Sequence, residues 1–169
     1  LLAVVYSQQI GVGYFESFKL KPYQYIHCYL NIPDTSGRDS LFQAEARRCK
    51  DILSTIDNQR HFCIFDELFS GTNPYEAVAS AYSFLTFLKA KNINIMLTTH
   101  YIDLCKKFRK SKRFTNYHMD IVFDPSENIV YNYKLEKNIS SIKGGIEVLK
   151  QLEFPQEIIN NTKAIINKM

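Results

Sequence analysis

No run of about 18 apolar residues occurs in this 169-residue chain, so the usual helical membrane span is not expected. Leu1 to Ile10 contains Gln8 and Gln9 with no basic leader before it, and is not expected to act as a signal peptide. The four cysteines, Cys28, Cys49, Cys63 and Cys105, form no C-x-x-C pair. Neither a zinc site nor a disulfide framework is therefore signalled, and a reducing, intracellular compartment is expected. Internal repeats and low-complexity linkers are also lacking. What is present is 46% hydrophobic and 14% aromatic residues, which argues against disorder and for one globular α/β unit. The formal charge of +4, from 21 basic and 17 acidic residues, is concentrated partly in Lys106, Lys107, Arg109, Lys110, Lys112 and Arg113. That cluster can meet phosphates, but a solvated helix end explains it equally well and no binding role is assigned.

Apolar periodicity organises the chain into alternating strands and helices. Leu1 to Gln9 reads as the end of a buried helix, broken by Gly11 and Gly13 before a loop over Tyr14 to Phe18. Tyr25 to Ile32 is expected to be a strand, Pro33 to Asp39 a polar loop, and Ser40 to Ile56 a helix. The apolar stripe of that helix is Leu41, Ala44, Cys49, Ile52, Leu53 and Ile56. Phe62 to Glu67 reads as a buried strand, Ser70 to Pro74 as a turn, and Glu76 to Lys89 as a helix whose stripe is core. Ile93 to Thr98 is a second buried strand, followed by a helix from about Tyr101. A right-handed crossover would put both strands in one parallel sheet, with Asp66, Glu67 and His100 at the same edge. Tyr117 to Phe123 and Ile129 to Leu135 flank Pro125 to Asn128 as a β-hairpin, and helices Gly145 to Glu153 and Pro155 to Lys168 follow.

The run Phe62, Cys63, Ile64, Phe65, Asp66, Glu67 is the most informative feature. Four consecutive apolar residues suit a strand buried on both faces, and ligands bind at the carboxyl ends of such strands. There an Asp can hold magnesium, directly or through water, while a neighbouring carboxylate orients or deprotonates an attacking water. A strand that merely ends in acids at a solvated turn fits the same string. Ser40, at a helix start, offers a hydroxyl beside backbone N–H groups that favour phosphate, although serine also commonly caps its own helix. His100 follows Thr98 and Thr99 and fits either a phosphate contact or a helix cap.

Taken together, Ser40-Leu41-Phe42-Gln43-Ala44-Glu45, the acid-ended strand, Gly71-Thr72 and Thr99-His100-Tyr101 resemble the ATPase domain of the MutS family of DNA mismatch-repair proteins. Gln9-Ile10-Gly11 is similar to the segment after that family's phosphate-loop helix, and Tyr133-Lys134-Leu135, Gly145-Ile146 and Phe154-Pro155 resemble its tail. The resemblance implies a P-loop NTPase-like, ABC-type ATPase domain, with a mixed, mainly parallel sheet flanked by helices and a C-terminal helical pair. It places a partial ATPase domain at 1–142 and a dimer-facing helical pair at 143–169. It implies ATP and Mg2+ as cofactors, Asp66 at the metal, and Glu67 and His100 as catalytic residues. Ser40, acting in trans as the signature serine, and Gly71, Thr72 and Asn73, in the loop crossing to the partner, would contact nucleotide. The implied partners are a second MutS-like ATPase subunit, identical or different, and double-stranded DNA held by upstream domains, with no membrane.

The family's G-x-x-x-x-G-K-[ST] loop is absent from the sequence, and in the resemblance its lysine would precede Leu1. The chain is therefore expected to be a fragment, inactive alone, of an ATPase. True loss of the loop would instead make it a catalytically dead dimerisation module, and a motor for recombination or another DNA transaction is a further alternative. Phe69 and Ser70 stand where the family usually has Gly and Arg, and Ala77 replaces a common Gly. Asn138 replaces a Gly whose left-handed backbone Asn can also adopt. Gly37 lies one residue further from Ser40 than in typical bacterial members, and Ile32 to Asp39 is closer to divergent members from large DNA viruses. Cytoplasm, nucleus or viral factory are the compartments this implies. Lys134 and Lys137 fit a nucleic-acid contact or the solvated face of a hairpin.

Overall fold

The computed structural model describes residues 1–30, 40–91, 93–125 and 129–168. The expected loop Pro33–Asp39, with Gly37, lies outside these residues, as do Ile32 and most of the hairpin turn. The chain divides into two compact units, Leu1–Lys107 and Phe108–Met169.

In the first unit, α1 (Leu2–Ile10) ends where Gly11 turns left-handed at φ 69° and returns its N–H to Ser7. Three strands, β1 (Tyr25–Tyr29), β2 (His61–Asp66) and β3 (Asn94–Thr98), form a parallel sheet in the order β1-β2-β3. The central strand places Phe65 against Tyr29 and Leu97, and Asp66 against Thr98. Its Phe62, Cys63 and Phe65 are buried, as the four-residue apolar run requires. β3 departs from expectation. It lies at the sheet edge, none of its residues is fully buried, and Met96 is exposed.

Crossing between the strands are α2 (Leu41–Thr55) and α3 (Pro74–Ala90). Ser40 caps α2 with a reciprocal box: its Oγ accepts from Gln43 N at 3.3 Å, and its own N–H donates to Gln43 Oε1 at 2.9 Å. Asn73 caps α3, which starts two residues earlier than the sequence stripe suggests, by accepting from Glu76 N, and Pro74 supplies the preset first turn. Ala77, Val78, Ala81, Leu85 and Leu88 bury the inner face of α3. Ala77, where Gly is common in the family it resembles, adds its methyl group to that core. The buried face of α2 holds Cys49 and Ile52 as expected, but also Glu45, which is 2% exposed. Burial pushes the Cys63 thiol up to about 12, and burial followed by Glu45 does the same for Cys49, so both behave as apolar core groups.

His27 in the middle of β1 and His61 at the start of β2 stack and share a hydrogen bond of 2.9 Å between Nε2 and Nδ1. The buried His61 bonds Asp57 Oδ1 through its other nitrogen at 2.9 Å. Burial lowers the pKa of His27 below 6.5, with His61 and then Arg48 adding to the effect. The unfolded chain therefore takes up this proton more readily than the folded one. Stability attributable to His27 is complete above the unfolded value and declines as pH falls through it. The denaturation midpoint is expected to fall between pH 7.5 and 5.5, and His27→Gln to flatten that fall; an unchanged slope in the variant would remove His27 as its source.

α4 (Ile102–Phe108) follows β3, and all of it but Phe108 belongs to the first unit. In the second unit, β4 (Tyr117–Phe123) and β5 (Ile129–Lys137) form an antiparallel hairpin, so the parallel and antiparallel strands belong to separate sheets. Asn138 is not left-handed; among the described residues of this hairpin the non-glycine residue with positive φ is Tyr133, at 57°. Asn138 instead uses its side-chain oxygen to accept from Ile139 N. Helices α5 (Gly144–Gln151) and α6 (Gln156–Ile166) follow as expected and bury Ile146 and Ile159.

Candidate functional site

The carboxyl ends of β2 and β3 bring Asp66, Glu67, Thr98 and His100 together. Register pairs Asp66 with Thr98, whose hydroxyl donates to Asp66 Oδ1, and the Glu67 N–H donates to Thr98 O at 3.0 Å. Thr98 thus fixes one oxygen of Asp66. Immediately past the strand the backbone of Glu67 turns to φ 50°, and that of Phe69 to 61°. Such left-handed non-glycine residues cost about 1–3 kcal/mol each and concentrate at sites where a side chain must be re-aimed. For Phe69, burial of the ring against Phe42 and Phe84 offsets the cost. This backbone shape gives a physical reason for glycine at that position in the family the sequence resembles.

The re-aimed Glu67 carboxylate meets His100, with Oε1 and Nδ1 3.1 Å apart. Their side chains are 52% and 64% exposed, so the pair is open to a ligand and contributes little to stability. His100→Ala is expected to change unfolding free energy by less than about 0.5 kcal/mol, within the range for exposed sites. Urea denaturation checks this, and a loss of several kcal/mol would assign the histidine a structural role. Tyr101 follows, its N–H donating to Thr99 Oγ1 at 3.0 Å. Its pKa is raised by burial, then by the carboxylates of Glu45 and Glu67.

Ser40 is exposed at the start of α2 and engaged in the capping box. As a cap acceptor, its oxygen keeps its own O–H proton for donation, so capping and anion contact are compatible. Next to it lies the Ser70–Asn73 loop. A methyl group on Gly71 would meet Phe42 N at 2.6 Å, Leu41 Cγ at 2.7 Å and Leu41 C at 2.9 Å, so glycine is required for this approach. The Thr72 hydroxyl donates to Glu76 at 2.8 Å. Sequence reading missed the group that joins the loop to the helix: Glu45 Oε1 accepts from Ser70 N and Oγ, both at 2.9 Å, and Oε2 from Gly71 N at 3.0 Å. The signal was available in the spacing, because Glu45 lies four residues from both Leu41 and Cys49.

Among the described residues there is no group of three or more His, Cys, Asp or Glu side chains that could hold a metal ion. A lone Asp66 oxygen beside exposed Glu67 suits a cation that keeps waters and shares ligands with phosphates, as magnesium does. It does not suit zinc.

A family model described as MutS domain V matches residues 4–169. The chain is 29% identical to the DNA mismatch repair protein MutS of Aquifex pyrophilus over 122 residues, covering 70% of this chain and 14% of that protein. It is 28% identical to MutS of Bacteroides fragilis (strain YCH46) over 135 residues, covering 78% and 15% respectively. The corresponding protein of Persephonella marina (strain DSM 14350 / EX-H1) is 28% identical over 128 residues, 75% of this chain and 14% of that protein. The chain thus spans only 14–15% of the length of these relatives.

Proposed function

The chain belongs to the MutS family, and from that membership and its carboxylate edge we propose that it is the ATPase portion of a DNA mismatch-repair protein. It has a P-loop NTPase-like, ABC-type architecture, binding ATP and Mg2+ between two subunits. The observation that carries this reading is the convergence of Asp66, Glu67 and His100 at one sheet edge, with Glu67 turned out of its strand at φ 50°.

Magnesium supplies charge neutralisation for the phosphates and would be held by Asp66, whose second carboxylate oxygen is not the one taken by Thr98. Glu67 orients the attacking water and accepts its proton. His100 donates from Nδ1 to Glu67, holds that carboxylate in place and contacts the γ-phosphate or the water through its other ring nitrogen. Ser40 of the opposite subunit donates to the γ-phosphate, aided by the N–H groups of the α2 start, and Gly71, Thr72 and Asn73 border the same nucleotide from that side. The helical pair from residue 143 onward faces the second subunit. Double-stranded DNA is bound by other parts of the intact protein, and ATP turnover drives its conformational change on a mismatch.

The sequence contains no G-x-x-x-x-G-K-[ST] loop, so the tests use the intact protein. A labelled duplex with a single mismatch is expected to be retained by the nucleotide-free protein and to change its dissociation rate on addition of ATP and Mg2+. Asp66→Asn is expected to abolish that response while leaving DNA binding without nucleotide unchanged. Equal response of mismatched and fully paired duplexes would favour another DNA transaction.

A further inference from the structure

We propose that Glu45 is a positioning residue that locks the Ser70–Gly71 loop to the start of α2, so that both elements offered to the neighbouring subunit's nucleotide move as one piece. The inference rests on the ATPase reading above. Three donors converge on this one carboxylate, two of them backbone N–H groups, across 25 and 26 residues of sequence. Glu45 is 2% exposed, and a carboxylate buried so deeply is tolerated only where hydrogen bonds replace its water. Tyr29, 1% exposed, stands beside it, its hydroxyl lacking a hydrogen bond of normal geometry. Burial and then Glu45 raise the pKa of its hydroxyl, so Tyr29 stays neutral and does not compete as an anion.

Gly71 supplies an independent mark of the same junction. Its Cα approaches the backbone of Leu41 and Phe42 so closely that no Cβ fits, and these are the residues directly after Ser40. Phe42 and Phe69 pack with centroids 5.6 Å apart and seal the contact from one side. The first turn of α2 and the loop are therefore joined by a buried carboxylate, a backbone contact and a ring pair. Glu45 touches neither reacting atom nor nucleotide in this arrangement; it fixes the group that does. Glutamine at this position keeps the shape but turns an N–H2 toward a backbone N–H, so at least one of the three bonds is lost.

Dimers of the intact protein assembled from two differently tagged copies give a test in which a general folding defect and a trans effect diverge. With Glu45→Gln in one copy and Glu67→Gln in the other, one site keeps its own Glu67 and faces a neighbour whose Glu45 is intact. ATP turnover is expected at about half the wild-type value. With both substitutions in one copy and none in the other, the only site with Glu67 faces the loosened loop. Turnover there is expected to be at least tenfold lower. Ser70→Ala, which removes one of the three bonds, should show the same asymmetry in weaker form and serves if Glu45→Gln does not fold. Equal turnover in the two arrangements would overturn the proposal while leaving the ATPase reading intact. Wild-type turnover by the Glu67→Gln homodimer would overturn both.

Discussion

Glu67→Gln in the intact protein is expected to lower ATP turnover by about 10²–10⁴-fold, the range carried by a positioned general base, while nucleotide still binds. Glutamine preserves the volume and an acceptor for His100, whose Nδ1 lies 3.1 Å from Oε1, so the local geometry survives. What is removed is the basic oxygen proposed to take the proton from water. Because the Glu67 side chain is 52% exposed and has left the strand, the substitution touches no core packing. A normal unfolding transition should therefore accompany the catalytic loss. Unchanged turnover with bound ATP would mean that the base lies elsewhere.

Gly71→Ala is the second substitution with a large expected effect. The added methyl group would lie 2.6 Å from Phe42 N and 2.9 Å from Leu41 C, and backbone at a helix start cannot rotate away as a flexible side chain would. Overpacking of this kind costs about 1–3 kcal/mol. The loop is the softer partner, so it is expected to move, lengthening its bonds to Glu45 and displacing Thr72 and Asn73. In the intact protein this predicts a lower denaturation midpoint together with a turnover loss of about tenfold or more, since ~1 Å of misplacement can cost 10²-fold. Stability loss without any loss of turnover would detach the loop from the chemistry.

The two effects sit on opposite sides of what the sequence reveals. The acid-ended strand was legible because a strand buried on both faces leaves an unbroken apolar run, and chain order then sets Asp66 beside the strand leading to His100. Helix α3 was legible for the same reason, with its stripe intact from Ala77 to Leu88. The left-handed turn at Glu67 was not, because hydrophobic pattern reports burial and carries no dihedral information. Glu45 was legible only as a position on the apolar face of α2: its partners are mainly backbone N–H groups, which every residue but proline possesses, so no side-chain signature marks them. β3 had the composition of a buried strand and lies instead at a sheet edge, since composition does not specify how many strands flank it. Asn138 shows the limit of substitution logic, because tolerance of a left-handed backbone does not require its use.

The proposed chemistry lies at the edge formed by Asp66, Glu67 and His100. Its most direct measurement is the rate of phosphate release from ATP by the intact protein, with and without Mg2+ and a mismatched duplex, beside the Asp66→Asn variant. The predicted result is Mg2+-dependent release that responds to the mismatch and is lost in the variant. Folded protein that binds ATP and mismatched DNA but releases no phosphate would contradict the account and leave this edge a structural remnant.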